Sequence, residues 1–331
     1  MVSRSNGETV SFRYASRMPN DEASVKIGIS QCLLGDAVRY DGADKRSTLA
    51  VDLLGEVFAF VPVCPEVEAG MGVPREPVKL QDSGGRTAVV GTESGTDHTE
   101  TMARFVVRKI EDLAGANLRG FILKSGSPSC GMEVAVEGSG TAQPGLFARA
   151  LEESFPDLPK IEETALRDAG ARQGFVERVF AYDRQMRFLV KERSVGQLVM
   201  AHAQAKLQLD VHSPDAHAEI SAVFKKAADL SYQEVTAQYL TGFMAALQTP
   251  ATPASHFAVM KTVFEGLKGS VEPGVQKELA RALQEYRQGS VPLSVPLTLL
   301  RHYVRVQEHP RFNQQTYLEP EPRELILRTR V

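Results

Sequence analysis

The stretch Gly120-Phe-Ile-Leu-Lys-Ser-Gly-Ser-Pro-Ser-Cys-Gly131 decides how the first half of the chain folds. Its apolar residues are followed at once by Gly, Ser and Pro, a pattern typical of a short buried strand that ends in a turn. The strand prediction covers residues 120–124, and the turn after it carries Cys130. The stretch therefore predicts a cysteine at the point where a strand leaves a sheet.

Two earlier segments repeat this plan of an apolar run that ends in a cysteine. One is Lys26-Ile-Gly-Ile-Ser-Gln-Cys32, and the other is Val57-Phe-Ala-Phe-Val-Pro-Val-Cys64. With Cys130, these are all three cysteines of the protein. The carboxyl ends of parallel strands lie together at one edge of a sheet, and ligands bind at that edge. We therefore expect three thiols that are distant in sequence to meet in one crevice.

The first half has the pattern of an α/β domain. Candidate strands cover residues 26–31, 57–63, 86–91 and 120–124. Segments of helical character lie between and after them, at residues 47–54, 100–116 and 146–155. Strands that alternate with helices predict a parallel, Rossmann-like sheet that is covered on both faces.

The second half is predicted to be all helical. After a helical segment at residues 164–184 no convincing strand follows. Ser213-Pro214 indicates the start of a helix that runs to about Leu230, and Ser231 with Glu234 forms a capping box for the next helix. Apolar residues at 279, 282, 283 and 286 form a helical stripe that Gly289 ends, and a last helix is expected at 297–306.

These patterns divide the chain into three parts. Residues 1–24 are polar and lack periodicity, so we expect a flexible arm. Residues 25–184 form the α/β domain, and residues 185–331 form the helical domain. The tail from Tyr317 to Val331 is expected to pack back on the helices as an extended segment.

Composition is that of an ordinary globular protein, with 43% hydrophobic and 24% charged residues. No apolar run approaches the roughly 18 residues that a membrane span needs, so no membrane partner is expected. The N-terminus lacks the apolar core of a secretory signal. Three cysteines cannot all pair in disulfides, which favours a reducing compartment, and we expect the cytoplasm.

Charge is distributed unevenly between the two halves. Residues 185–331 carry 17 Lys and Arg against 14 Asp and Glu, whereas the rest of the chain carries 21 against 27. The difference is modest, but it indicates that the two halves have different partners.

Thiols at strand exits can be structural, catalytic or metal-binding. A single buried cysteine is most often a small hydrophobic residue. Here a turn follows each cysteine, and backbone N–H groups in such turns suit an iron–sulfur centre. A three-cysteine zinc site is a second possibility, although structural zinc usually takes a fourth ligand and a paired C-x-x-C hairpin. On the residues alone, iron–sulfur, zinc and metal-free thiols all stay open.

The segments around the cysteines resemble the thiouracil desulfidase family, in the order in which that family has them. The matching stretches are Cys32-Leu-Leu-Gly with Arg39-Tyr-Asp-Gly42, Val63-Cys-Pro-Glu-Val67, Pro74-Arg75, and Leu123-Lys-Ser-Gly-Ser-Pro-Ser-Cys-Gly131. The resemblance covers about residues 25–184. The second half resembles the YbgA-type domain that is often fused to this family, through His202-Ala-Gln-Ala-Lys-Leu207 and Tyr317-Leu-Glu-Pro-Glu-Pro-Arg-Glu-Leu325. The fused arrangement is similar to that of the tRNA 4-thiouridine desulfidases.

This resemblance implies a [4Fe-4S] cluster with three cysteine ligands, Cys32, Cys64 and Cys130, and a fourth iron free of protein. It implies that Glu66 is the general acid and base and that Ser127 orients water or substrate. Each of these two residues also has a structural explanation that needs no catalytic role. A glutamate after a strand commonly caps a helix, and a serine before a proline commonly forms a turn. The substrate implied is a thiolated uracil base, in particular 4-thiouridine in tRNA, and the product is hydrosulfide.

Further candidate residues are basic or acidic. Those proposed to contact substrate are Arg39, Asp41, Arg75 and Lys124, each of which can equally be a structural ion-pair partner. Those proposed to contact RNA are Lys206, Arg301 and Arg305, each of which can equally lie on a solvated helix face. The histidines His202, His212 and His217 have a spacing that suits no standard metal site.

Two other functions compete with a tRNA desulfidase. The first is the same chemistry on a free thiouracil base or a thiolated nucleotide. The second is a non-catalytic module in which a metal holds the cysteines and the helical half binds other proteins.

Overall fold

The computed structural model describes residues 25–191 and 194–318. The arm at residues 1–24 and most of the tail that begins at Tyr317 lie outside the described residues. The strands are β1 (Val25–Ser30), β2 (Phe58–Val63), β3 (Val78–Asp82), β4 (Thr87–Gly91), β5 (Phe121–Leu123), β6 (Val134–Glu137), β7 (Ala142–Gln143) and β8 (Lys160–Glu162). The helices of the first half are α1 (Pro65–Glu68), α2 (Thr99–Gly115), α3 (Leu146–Ser154) and α4 (Ala169–Lys191).

The predicted parallel sheet is present, with the strand order β2-β1-β5-β8. Its strands are short and apolar, which explains why they are buried on both sides. One face packs against α4 through residues such as Phe58 and Phe180. The other face packs against α2 and α3 through residues such as Phe121 and Phe147. The α/β fold expected from the sequence is thereby confirmed.

A second sheet has the order β4-β3-β6-β7, and it corrects one prediction. The segment 86–91 was expected in the parallel sheet, but as β4 it pairs antiparallel with β3. The cause is the turn between these strands, where Gly84 and Gly85 both have positive φ and the Asp82 carboxylate accepts the Gly85 N–H at 2.8 Å. A tight turn of this kind pairs a strand with its neighbour in the chain. The edge position of the parallel sheet is taken by β8 instead.

The second half is helical throughout its described residues, as predicted. Its helices are α5 (Val195–Gln204), α6 (Lys206–His212), α7 (Ala216–Lys225), α8 (Tyr232–Ala246), α9 (Pro253–Leu267), α10 (Pro273–Arg287) and α11 (Ser294–Val306). The predicted capping box at Ser231 and Glu234 is formed. The stripe predicted on α10 is buried, and Gly289 follows the helix with φ +75°.

The helix start predicted at Ser213 was wrong. Ser213 instead ends α6, and α7 begins at Ala216 after Asp215. That helix also stops earlier than predicted, at Lys225, and a short 3-10 turn follows at Ala227–Asp229. The Ser-Pro pair therefore forms the corner between two helices, a role that these residues also favour.

The two halves share one hydrophobic core. Helix α4 runs through Arg184, and its Ala181 and Tyr182 belong to the same buried cluster as Tyr239 and Phe243 of α8. The side chain of Thr241 also donates a hydrogen bond to Asp157 at 3.2 Å. The helical half is thus packed directly against the α/β half. No helix among the described residues is long and apolar enough to cross a membrane.

Candidate active site

The carboxyl edge of the parallel sheet opens into a crevice of about 660 Å³. Cys32, Cys64 and Cys130 all line this crevice. Cys130 is buried, the other two are half-buried, and all three are free thiols. Strands β1, β2 and β5 each deliver one cysteine, because their carboxyl ends point to the same edge.

Each cysteine is held by the turn that follows its strand. Cys32 lies in a short 3-10 helix, Gln31–Leu34, that ends at Gly35 with φ +100°. Cys64 directly precedes α1, and its N–H donates to the Glu68 carboxylate at 2.9 Å. The N–H of Cys130 donates to the Ser127 hydroxyl oxygen at 3.2 Å. The thiols are therefore fixed in place by local hydrogen bonds.

Burial makes all three thiols weak acids. It raises the pKa of the Cys32 thiol to about 12, and the nearby Cys64 adds to this effect, whereas Lys124 and Arg39 oppose it. Burial also raises the pKa of the Cys64 thiol. The pKa of Cys130 lies well above its usual range for the same reason, partly offset by the hydrogen bond from Ser30. Neutral thiols are poor nucleophiles, so this arrangement does not favour covalent catalysis by a free cysteine.

The thiols do not form a site for one metal ion. No group of three or more His, Cys, Asp or Glu side chains in the described ranges is arranged to hold a single ion. A tetrahedral zinc site requires ligands that converge on one centre.

Glu66 lies in α1, two residues after Cys64, and also lines the crevice. The buried guanidinium of Arg75 forms an ion pair with Glu66 Oε2, with Nε donating at 3.1 Å. On the other side, the Ser129 hydroxyl donates to Glu66 Oε1 at 2.9 Å. Both carboxylate oxygens are held by protein groups, so the carboxylate has a fixed orientation at the crevice wall.

Arg75 has contacts within the protein for most of its donors. Besides Glu66, its Nη1 donates to the carbonyl oxygens of Val38 at 3.1 Å and Gly72 at 2.9 Å. The guanidinium therefore fixes Glu66 and the loop at Val38 relative to each other. This arrangement supports a positioning role for Arg75, and because Arg75 also lines the crevice, its contact with substrate stays a prediction.

The two serines on either side of Pro128 have different contacts. Ser127 lines the crevice, and its hydroxyl oxygen accepts the N–H groups of Ser129 and Cys130. Ser129 is fully buried and contacts Glu66 from the protein side. Ser129 is thus the serine in contact with the carboxylate.

Lys124 lies at the base of the crevice and has a carboxylate partner. Its Nζ donates to Glu163 at 2.7 Å and to the carbonyl and hydroxyl oxygens of Ser125. Glu163, which follows β8, also accepts the N–H of Ser125 at 2.6 Å. Glu163 was not identified from the sequence because β8 itself, only three residues long, gave no strand pattern. The network ties β8 to the loop that carries Cys130.

Arg39 and Asp41 belong to one short loop, and of these two residues only Arg39 lines the crevice. Arg39 lines the crevice, and its guanidinium lies 5.2 Å from the ring centroid of Tyr40. The crevice wall formed by the described residues does not include Asp41. Its carboxylate accepts the N–H of Ala43 at 3.1 Å, which is the contact of a turn residue.

The wall opposite the cysteines comes from the second sheet. Val78 and Leu80 of β3 and Val134 of β6 line the crevice with apolar side chains. Such a wall suits the flat face of a ring. Sequence reasoning missed these residues, although the alternation of apolar and polar residues in both strands is the signal that predicts a half-buried strand.

The residues proposed to contact RNA lie in the helical half, away from the crevice wall. Lys206 is on α6, where its Nζ pairs with Asp210 at 2.7 Å. Arg301 and Arg305 lie one turn apart on α11. None of the three is among the described residues that line the crevice.

The three histidines are placed for packing. The rings of His202 and His217 stack with centroids 4.1 Å apart, and burial lowers the pKa of His202 to about 4. His212 lies elsewhere in the core, where it pairs with Glu177 at 3.3 Å.

By fold and by site, the protein is an α/β protein with a crevice lined by three thiols and a carboxylate, joined to an all-helical part. Residues 27–163 match the family model described as 2-thiouracil desulfurase. Residues 206–322 match a second model, described as a protein of unknown function, DUF1722.

Individual proteins match the same two regions. The uncharacterized protein YbbK of Bacillus subtilis is 36% identical over 110 residues, which are 32% of this chain and 72% of YbbK. The uncharacterized protein YbgA of Escherichia coli is 26% identical over 155 residues, which are 46% of this chain and 90% of YbgA. Among solved structures, the [4Fe-4S]-dependent thiouracil desulfidase TudS is 31% identical, with a TM-score of 0.34, and the match covers 44% of this chain and 94% of TudS.

The chain belongs to the 2-thiouracil desulfurase family. It is therefore an enzyme, a desulfidase whose substrates are thiolated uracils. The resemblance drawn from the cysteine segments is confirmed, and so is the fusion to a YbgA-type second half.

Proposed function

We propose that the protein removes sulfur hydrolytically from 4-thiouridine in tRNA, with a [4Fe-4S] cluster held by Cys32, Cys64 and Cys130. The observation that carries this proposal is the convergence of three thiols and Glu66 on one crevice. In this proposal, residues 25–184 carry out the reaction and residues 185–331 bind the RNA.

The donor set, three cysteine thiols on one open crevice, is of the type that binds such a cluster. When bound, the cluster supplies a thiophilic iron without a protein ligand, to which a thiocarbonyl sulfur can bind.

Glu66 is the general acid and base in this proposal. Its carboxylate takes a proton from the water whose oxygen adds to the ring carbon. As the C–S bond breaks, Glu66 returns its proton to the departing sulfur, which leaves as hydrosulfide. The C–O bond becomes a carbonyl as the second proton of the water is released to solvent. The substrate gains and loses no electrons, so neither nicotinamide nor flavin is required. Ser127 is placed at the crevice wall to orient the water or the edge of the base.

The choice of tRNA rests on the second half and on the crevice. The fused helical part supplies a second surface, and it carries the basic candidates Lys206, Arg301 and Arg305, none of which lines the crevice. A base in folded RNA must leave its stack to enter a crevice, and a second RNA-binding surface compensates for that cost. An apolar wall at Val78 and Leu80 can receive the face of the extruded base.

Reconstitution under anaerobic conditions tests the proposal. We expect about four irons and four sulfides per chain, and release of hydrosulfide from thiolated tRNA. Glu66→Gln should retain the cluster absorbance and lose about a hundredfold or more in turnover. Glu153→Gln, an exposed carboxylate on α3, is the matched control and should behave as wild type.

Two results would contradict parts of the proposal. If free thiouracil is desulfurated while tRNA stays thiolated, the protein acts on the base and the tRNA assignment is wrong. If Glu66→Gln turns over thiolated substrate as wild type does, Glu66 has no role in catalysis and another group acts as the acid and base.

A further inference from the structure

A second cavity lies between the two halves of the protein. It has a volume of about 590 Å³, within the range of ~300–1,000 Å³ typical of sites for small molecules. One wall comes from the N-terminal part of α4 and from Ile161 of β8, and the opposite wall comes from α10 and from the corner between α8 and α9. None of its lining residues also lines the thiol crevice. The second cavity is therefore separate from the candidate active site.

Arg178 is the arginine of this cavity, and it has no partner. Its side chain is half-buried in the wall. Among the residues that the structure describes, its guanidinium has no ion pair and no hydrogen bond. Burial lowers the pKa of this arginine, and only the charge of the adjacent Glu177 opposes that effect. A cation that loses water without gaining an acceptor is stabilised by an anion that enters the cavity.

The guanidinium is accommodated by a glycine one turn earlier. A Cβ on Gly174 would lie 3.3 Å from Arg178 Nη1, closer than an ordinary contact, so the glycine leaves space for the guanidinium beside the helix. Long helical side chains point toward the N-terminus of their helix. On that side Gly170, Ala171 and Gly174 line the cavity. The donors of Arg178 therefore lie along the cavity wall.

The acidic groups in the wall already have partners. Glu177 Oε1 accepts a hydrogen bond from Gln208 at 3.1 Å and lies 3.3 Å from His212 Nε2. Asp168 Oδ1 accepts the N–H of Ala171 at 2.7 Å at the start of α4. Neither carboxylate pairs with the arginine, but the charge of both acts on a ligand in the cavity. An anion with a single charge meets less repulsion from them than a phosphate dianion does.

The rest of the wall is largely apolar. Ile161, Leu247, Pro250 and Leu293 line the cavity together with Tyr286. Such a surface favours a ligand with an apolar or aromatic body. A carboxylate matches the planar guanidinium of an arginine through two parallel hydrogen bonds. The chemistry of the wall therefore favours a monocarboxylate with an apolar body.

We propose that the second cavity is a ligand site for a small monocarboxylate, whose carboxylate pairs with Arg178 and whose apolar body packs against Leu247 and Tyr286. This site is additional to the desulfurating crevice and goes beyond the function proposed above. Because its walls come from both halves, a bound acid contacts both halves and stabilises the folded protein by mass action.

Calorimetric titration of the full-length, anaerobically reconstituted protein with benzoate tests the site. We expect benzoate to bind with a Kd of roughly 1 mM or lower and to raise the melting temperature. Benzyl alcohol, which has the ring without the charge, should bind about tenfold more weakly. Arg178→Gln should weaken benzoate binding about tenfold, and Arg178→Lys, which keeps the charge without the paired hydrogen bonds, should lie between Gln and wild type. Arg167→Gln, at an exposed arginine that does not line the cavity, is the matched control.

Ala251→Phe is a second variant, and it keeps Arg178. Ala251 lines the cavity, so a larger side chain there should fill part of it and weaken benzoate binding, which decides the matter if the arginine variants do not fold. The proposal is overturned if benzoate does not bind, if benzyl alcohol binds equally well, or if folded Arg178→Gln binds benzoate as wild type does. A loss of binding in Arg39→Gln alone would place the probe in the thiol crevice and also overturn it. Tighter binding of inorganic phosphate than of benzoate would contradict the monocarboxylate class. These measurements require no desulfuration, so they decide on this site independently of the proposed function.

Discussion

At the scale of single residues, the orientation of Glu66 depends on a serine that cannot touch the substrate. Ser129 is fully buried and donates its hydroxyl hydrogen to Glu66 Oε1. We expect Ser129→Ala to free one carboxylate oxygen and to lower kcat about tenfold, a loss of roughly 1–2 kcal/mol, typical of a hydrogen bond to a charged group. The KM should change little, because Ser129 does not line the crevice.

The readouts for Ser129→Ala separate positioning from structure. Iron and sulfide content and the melting temperature should stay close to wild type, while kcat falls and KM does not change. Ser139→Ala, a serine in an exposed turn, is the control. If the variant loses its cluster together with its activity, Ser129 supports the Cys130 loop and not the carboxylate.

The residues of the site differ in how far the sequence could predict them. The cysteines and Glu66 were identified because their positions follow strand ends, which local patterns reveal. Ser129 could be assigned only as a turn residue, because its contact with Glu66 joins segments 63 residues apart. Arg75 and Lys124 were identified as cations, but their carboxylate partners depend on the three-dimensional arrangement.

At the scale of elements, the first turn of α3 is docked on the cysteine loop. The N–H of Gly145 donates to the Gly131 carbonyl at 2.8 Å, and the N–H groups of Phe147 and Ala148 donate to the Ser129 carbonyl. These bonds satisfy helix N–H groups that otherwise have no partner. A Cβ on Gly145 would lie 2.6 Å from the Pro128 carbonyl oxygen, so the loop must shift if this glycine is replaced.

We therefore expect Gly145→Ala to destabilise the protein by about 1–3 kcal/mol, and to lower the iron bound after reconstitution. Chemical denaturation and iron analysis measure the two effects. Gly196→Ala on α5 is the matched control, since a Cβ there meets no atom within 4 Å. That substitution should be neutral or slightly stabilising. A Gly145→Ala variant with normal stability and full iron content would show that the docking of α3 does not shape the cysteine loop.

The elements themselves were predictable where their pattern was strong. Strands β1, β2 and β5 are continuous apolar runs, and α10 has a clear stripe at helical spacing. The segment of β4 was found, but its partner was not, because a sheet is assembled from pairings that single segments do not encode. The two glycines before β4 were the available signal for a hairpin.

At the scale of the whole molecule, one hydrophobic cluster contains residues from both of the halves that the sequence pattern separates. The pattern of strands and helices changes near Arg184, yet α4 passes through this position and packs on both halves. Burial of Tyr182 with Tyr239 and Phe243 in one cluster links the stability of the catalytic half to that of the helical half. We therefore expect a change in the helical core to alter the stability of the entire protein.

A buried histidine in that core predicts how stability depends on pH. Burial lowers the pKa of His202 to about 4 from 6.5, and its neighbours His217 and Lys206 oppose its protonation further. Below about pH 6.5 the unfolded chain takes up a proton that the folded protein does not, so the free energy of unfolding should fall by about 2 kcal/mol between pH 7 and pH 4.5. Denaturant titrations at the two pH values measure this fall. His202→Gln should reduce the difference, whereas exposed His302→Gln should preserve it. An unchanged difference in His202→Gln would assign the pH dependence to other groups.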